Sequence, residues 1–181
     1  MNKKILSQTI LFEGEIKLPK HHEVDRYLIK SDILHSKINQ RTVSQNPYHF
    51  ASSDYEINTS KPVQLVRDYV HEKLRVYYDL GLEPRLSFGN IFDPKQQSFF
   101  RNMIDPTNIK ESPDFVMIYG VDVKEASVVL ETQNKRGVNE LSSYPIENNK
   151  FIVFPSYLKF FINENSSFNT NIFLTTTYVK L

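Results

Sequence analysis

The sequence predicts a mainly β protein with flanking helices, and three observations carry that prediction. After Gly81, segments rich in β-branched and aromatic residues alternate with clusters of turn residues, the pattern of an antiparallel sandwich or barrel. Before Gly81, two stretches place apolar residues at helical spacings of three and four. The chain has 181 residues, 40% of them hydrophobic, with 13 Phe and 10 Tyr. That is enough to fill one core, and it excludes a disordered tail. A single domain over residues 1–181 is the expected organisation.

Residues 5–18 alternate between apolar and polar, with Ile10, Phe12 and Ile16 apolar, and read as an extended first strand bent at Gly14. Val24, Tyr27, Leu28, Leu34 and Ile38 approximate one face of a first helix over about residues 22–38. Residues 40–58 are polar and loop-like, with Asn46-Pro47 as a turn signal. A second helix is expected over about 60–81. Ser60 can cap it, Pro62 suits its first turn and Gly81 can end it in the left-handed conformation. Val63, Val66, Val70, Leu74 and Tyr77 form its apolar stripe. Strands are expected at Leu86–Phe92, Phe115–Val121, Ser127–Glu131, Phe151–Phe154, Leu158–Asn163 and Asn171–Lys180, with 101–113 as a loop.

Composition excludes several functions. Lys+Arg number 22 against 21 Asp+Glu, a formal charge of +1, and the pI is near 7.9. No basic stripe is present, so no nucleic-acid partner is expected. Zero Cys removes disulfides, thiolate metal sites and cysteine nucleophiles. The start of the chain contains no uninterrupted apolar core of a signal peptide, because Ser7, Gln8, Thr9 and Glu13 break it. No apolar run approaches the roughly 20 residues of a membrane span. A soluble protein of the cytoplasm, or of a particle assembled there, is expected, with no membrane partner.

Local constellations add little chemistry. His21-His22 with Glu23 and Asp25 imitates a metal cluster, but adjacent side chains on a helix point apart, and a solvated helix start is the plainer reading. His71 reads as a boundary residue of the second helix. Gly14, Gly81, Gly89, Gly120 and Gly137 are too scattered for a phosphate loop, and no Gly-flanked nucleophile elbow occurs. Lys135-Arg136-Gly137 reads as a hairpin tip. Asp93, Asp105, Asp114 and Glu131 are carboxylates without the spacing of a Ca²⁺ or Mg²⁺ loop.

One segment carries a specific pattern. Phe154-Pro155-Ser156-Tyr157-Leu158, after an apolar strand and before the Asn165-Ser166 turn, resembles the end of the 2-oxoglutarate/Fe(II)-dependent oxygenases, especially a group common in tailed phages and marine bacteria. Phe115–Val121, Ser127–Glu131 and Ile10-Leu11-Phe12 resemble earlier strands of that family, so the resemblance spans nearly the whole chain. It implies a double-stranded β-helix, a jelly-roll, cupin-like barrel of about eight strands.

The resemblance also implies an Fe(II) site of two His and one carboxylate, with an Arg fork for the cosubstrate carboxylate. Those positions have changed. The second metal His falls at Phe160, which has no lone pair to give. The first pair falls within Gln96–Met103, which has neither His nor carboxylate, so Phe100 and Asn102 stand as vacated positions beside Phe160. The Arg should open the last strand near Thr170 or Asn171, yet no Lys or Arg lies between Lys159 and Lys180. Independently of any alignment, His21, His22, His35, His49 and His71 all precede the β-rich half.

No catalytic, metal or cofactor-binding residue is therefore expected, and no cofactor. Phe99, Phe100, Phe160 and Phe161 have two readings: alternate members point outward or fill ordinary core, or their bulk plugs the old cavity. The expected function is a non-catalytic structural or interaction protein. It would be a degenerate oxygenase-like jelly roll, a neck, tail, baseplate or accessory component of a tailed-phage virion, with other proteins as partners in a multi-subunit assembly. Two alternatives stand. One is an active hydroxylase with displaced ligands, needing His49 or His71 at the barrel mouth and Arg85 or Arg101 as clamp. The other is a small-ligand-binding cupin-like module, needing an open polar cavity.

Overall fold

A computed structural model describes residues 9–18, 23–39, 54–57, 59–134 and 136–181. Nine strands and two helices are described: β1 (Phe12–Glu15), α1 (Arg26–Ile38), β2 (Asp54–Glu56), α2 (Lys61–Tyr78), β3 (Leu82–Phe92), β4 (Phe115–Asp122), β5 (Ala126–Gln133), β6 (Asn139–Ile146), β7 (Lys150–Pro155), β8 (Phe160–Ile162) and β9 (Asn171–Lys180). The large sheet has the order β1-β7-β4-β9-β3-β2 and the small one β6-β5-β8. Every strand pair is antiparallel. Residues 98–103 extend the small sheet: Arg101 bridges Phe160, with Arg101 N–H to Phe160 O at 2.9 Å and Phe160 N–H to Arg101 O at 2.7 Å. The two sheets form the expected jelly roll.

Side chains of the large sheet alternate between two cores, as a period of two requires. Met117, Tyr119, Val121, Val153, Ile172, Leu174 and Tyr178 face the helices. Val116, Ile118, Ile152, Phe154 and Phe173 face the small sheet, where Val128, Leu130, Phe160 and Ile162 meet them. A run such as Val116-Met117-Ile118-Tyr119 is continuously apolar because both of its faces are covered.

The helices cover one face of the large sheet. Asp25 caps α1, its Oδ1 accepting from Leu28 N–H at 2.9 Å. The face expected for α1 is corrected: Tyr27 and Ile38 are exposed, and the buried pair is Ile29 and Ile33, four residues apart. Ile33 packs over Gly89 of β3, where a Cβ would stand 2.4 Å from it. The sheet's bare backbone there fixes which side of α1 turns inward.

In α2, Val63, Val66, Val70 and Leu74 are buried as expected, but Tyr77 is exposed. The helical cap falls two residues before Gly81, with Asp79 taking the left-handed conformation at φ 52° and donating its N–H to Arg75 O. Ser60 is the N-cap residue, yet its side chain makes no capping bond.

Four further expectations change. Gly14 does not bend its strand; it sits in register opposite Phe151, whose ring lies across it. The 40–58 loop contains β2, although 40–53 and 58 lie outside the described residues. The 101–113 loop holds the Arg101 bridge and a 3-10 turn at Ile109–Glu111. β6 was not anticipated, because Asn139-Glu140-Leu141-Ser142-Ser143 has low strand propensity; the hairpin across Asn134–Val138 and pairing with β5 create it.

Candidate functional site

The space between the sheets is the position at which a jelly roll holds a site. Here its wall is aromatic. Phe88, Phe92, Phe154, Phe160 and Phe173 are all buried and line one apolar cluster. Phe154 and Phe160 pack edge to face with centroids 5.0 Å apart.

One polar chain crosses this interior. Asp54, fully buried on β2, forms a two-pronged ion pair with Arg101. Oδ2 to Nη1 is 2.5 Å and Oδ1 to Nη2 is 3.1 Å. Asn90 of β3 donates from Nδ2 to Asp54 Oδ1 at 2.5 Å, and Thr175 of β9 donates from its hydroxyl to Asn90 Oδ1 at 2.6 Å. The Arg101 guanidinium lies 5.7 Å from the centroid of the Phe160 ring. β2 is an edge of the large sheet, and 98–103 lies beside β8 of the small one. The ion pair therefore ties the two sheets together.

Geometry separates the residues expected here. Phe160 is buried between the sheets. Phe99 and Phe100 are exposed; Phe100 meets Phe161 edge to face at 5.9 Å, and Lys159 Nζ lies 5.7 Å from its ring. Of the aromatic quartet, Phe160 alone joins the interior cluster; Phe161 is half-buried. Asn102 Oδ1 accepts from Ile104 N–H at 3.3 Å, a local turn contact. Arg101 and Met103 of that segment are turned inward, Met103 into the apolar cluster and Arg101 toward Asp54.

Thr170 donates to Asp93 at 2.7 Å, and Asn171 Oδ1 accepts from Lys124 N–H at 2.9 Å. Asp105 accepts from the Thr107 N–H and hydroxyl, Asp114 from Lys180 N–H, and Glu131 from Asn139 Nδ2. The four carboxylates read from the sequence thus serve turns and strand ends. His71 Nδ1 contacts Leu82 O on the helix side of the large sheet, and His35 contacts Asn39. Arg85 is exposed beside Glu83. His21, His22 and His49 lie outside the described residues.

The resembling segment has a structural role. Ser156 donates its hydroxyl to Pro113 O, its N–H reaches Asp114 O at 2.9 Å, and its carbonyl accepts from Met103 N–H at 2.9 Å. It thereby anchors the 98–103 segment beside β8. Asn165, buried, donates from Nδ2 to Phe92 O and Asn169 O and accepts from Ser167, so it pins the turn before β9.

Solved structures share this architecture. A prolyl-4-hydroxylase of Pseudomonas putida superposes with a TM-score of 0.63 at 11% identity, covering 94% of this chain and 92% of its own. The viral collagen prolyl hydroxylase of Paramecium bursaria Chlorella virus-1, in complex with 2-oxoglutarate, gives 0.57 at 10% identity, with 93% and 94% covered. The α-ketoglutarate-dependent carbocyclase SnoK of nogalamycin biosynthesis gives 0.62 at 7% identity, with 93% and 78% covered. The fold is that of the 2-oxoglutarate/Fe(II) oxygenases. No family model matches the chain, and no curated protein matches it in sequence. At these identities the likeness is one of fold alone.

Among the described residues, those that line this oxygenase fold do not fit Fe(II) and 2-oxoglutarate. Phe160 offers no lone pair, and Arg101 brings a fixed positive charge beside it. The Arg101 fork already holds a carboxylate, that of Asp54. Among the described residues no three His, Cys, Asp or Glu side chains converge on one point. Sequence reading missed Asp54, Asn90 and Thr175. A signal existed for two of them: Asn90 shares the period-two facing of the buried Phe88 and Phe92, and Thr175 that of the buried Phe173.

Proposed function

We propose that the chain is a non-catalytic structural or interaction protein on an oxygenase jelly roll, a virion component (neck, tail or baseplate) or accessory protein of a tailed phage, working with other proteins in an assembly. The observation that carries the non-catalytic part is the interior itself: Phe160 at the ligand position, with Arg101 and Asp54 satisfying each other beside it. The phage assignment rests on the resemblance of the Phe154–Leu158 block. Exposed apolar residues such as Phe99, Phe100, Tyr157 and Phe168 offer contact surface for partners.

Among the described residues, His71 on the helix side of the large sheet and the occupied Arg101 fork speak against the displaced-ligand hydroxylase. The cupin-like reading requires an open polar cavity beside Phe160. A cleft of about 370 Å³ lined by Lys30, Lys37, Asp93, Asp122 and Thr170 lies on the helix side, away from Phe160. Among the described residues no helix is long and apolar enough to cross a membrane. Oxygen-dependent release of succinate from 2-oxoglutarate in the presence of Fe(II) tests catalysis, and none above the protein-free rate is expected. Stoichiometric recovery of the chain in purified particles tests the structural role; its absence from them would overturn the virion assignment.

A further inference from the structure

We infer that the barrel interior is a carboxylate receptor whose resident ligand is the chain's own Asp54, supplied in cis by β2. A buried guanidinium requires an anion, and a planar fork prefers a carboxylate. Arg101 is nearly buried, with its side chain 9% exposed, and Asp54 meets it through both oxygens at 2.5 and 3.1 Å. Asn90 Nδ2 gives the same carboxylate a third donor at 2.5 Å and is itself oriented by Thr175 at 2.6 Å. The receptor thus draws on three separate parts of the barrel: Arg101 beside β8, Asn90 on β3 and Thr175 on β9.

The ligand-bearing element is held weakly by its backbone. β2 is three residues long and, among the described residues, pairs with β3 alone, through Asp54↔Asn90, Tyr55↔Gly89 and Glu56↔Phe88. Such a strand contributes few ladder bonds, and the Asp54 carboxylate fastens it to the small sheet through Arg101. The inference deepens the non-catalytic reading and rests on it, since an interior that already contains its carboxylate has its fork filled.

Chemical complementation tests this directly. Asp54→Ala removes the carboxylate and leaves space for formate. The expected result is a lowered Tm that formate raises saturably, by at least about 3 °C at saturation. Chloride at equal ionic strength should not do so, and neither wild type nor Asp54→Ala/Arg101→Met should show a formate-specific rise. Absence of the rise in Asp54→Ala, or an equal rise in the double variant, overturns the inference. If Asp54→Ala does not fold alone, refolding from urea in formate against chloride is the readout; recovery in formate only supports the receptor, and equal recovery or none overturns it. Succinate release is a separate measurement, so failure here and failure of the non-catalytic reading are distinguishable.

Discussion

Asp54 and Arg101 form a buried pair, and such pairs cost more to break than to replace. Either Asp54→Asn or Arg101→Met leaves one buried partner uncompensated, at an expected cost of about 3–5 kcal/mol in urea unfolding. Asp54→Leu/Arg101→Met removes both charges and is expected to recover most of that loss; additive losses would show that the two side chains act independently. The aromatic wall is a second residue-level matter: Phe160→Ala is expected to cost about 3–5 kcal/mol, as for a buried Phe truncated in a close-packed core. Tyr119 and Tyr178 add a pH dependence. Burial pushes both hydroxyls well above the usual tyrosine range, with Arg26 partly offsetting this for Tyr119 and Arg67 for Tyr178. The fold therefore favours their protonated forms. Stability is retained below the unfolded-state value near 10 and falls as pH rises above it, because the unfolded chain releases these protons first. Alkaline titration followed by tyrosinate absorbance should show Tyr119 and Tyr178 ionising with loss of the native signal; Tyr119→Phe/Tyr178→Phe should remove that part of the fall.

Elements were legible where one face alone decided them. The buried stripe Val63, Val66, Val70, Leu74 could be read from spacing, and so could strands whose two faces are both apolar. Tyr77 fell outside because its end of the helix is uncovered, and the Lys73 ammonium sits 5.4 Å from its ring instead. The inward face of α1 was not legible, since it depends on a gap in another element: Gly89, which leaves room for Ile33. Gly89→Ala should destabilise the protein by about 1–3 kcal/mol through overpacking. Ile33→Ala in that background should return part of the loss, and a denaturant series on the two single variants and the double variant measures it. β6 stayed hidden because its own residues do not favour a strand. Pairing along all eight residues with β5 decides it, and pairing partners are not written locally.

At the scale of the molecule, one short block pointed to the architecture. Phe154 reaches the interior, Ser156 binds the 98–103 segment, and nearly the whole chain superposes on the oxygenase fold. Of the positions that the resemblance implies were vacated, Phe160 faces the interior, whereas Phe100 is exposed and Arg101 is turned inward. A single-residue change of facing cannot be read from an irregular segment whose register comes from one bridge. Asp54 was not legible because its role depends on a contact 47 residues along the chain. In the proposed reading, an internal ion pair and aromatic packing fill this barrel in place of a metal and cosubstrate. Anaerobic addition of Fe(II) and 2-oxoglutarate to the purified protein tests it most directly, by the metal-to-ligand charge-transfer absorption of a chelated cosubstrate. No protein-dependent band is expected at any ratio of the two; a saturable band at one equivalent of iron would contradict the non-catalytic reading.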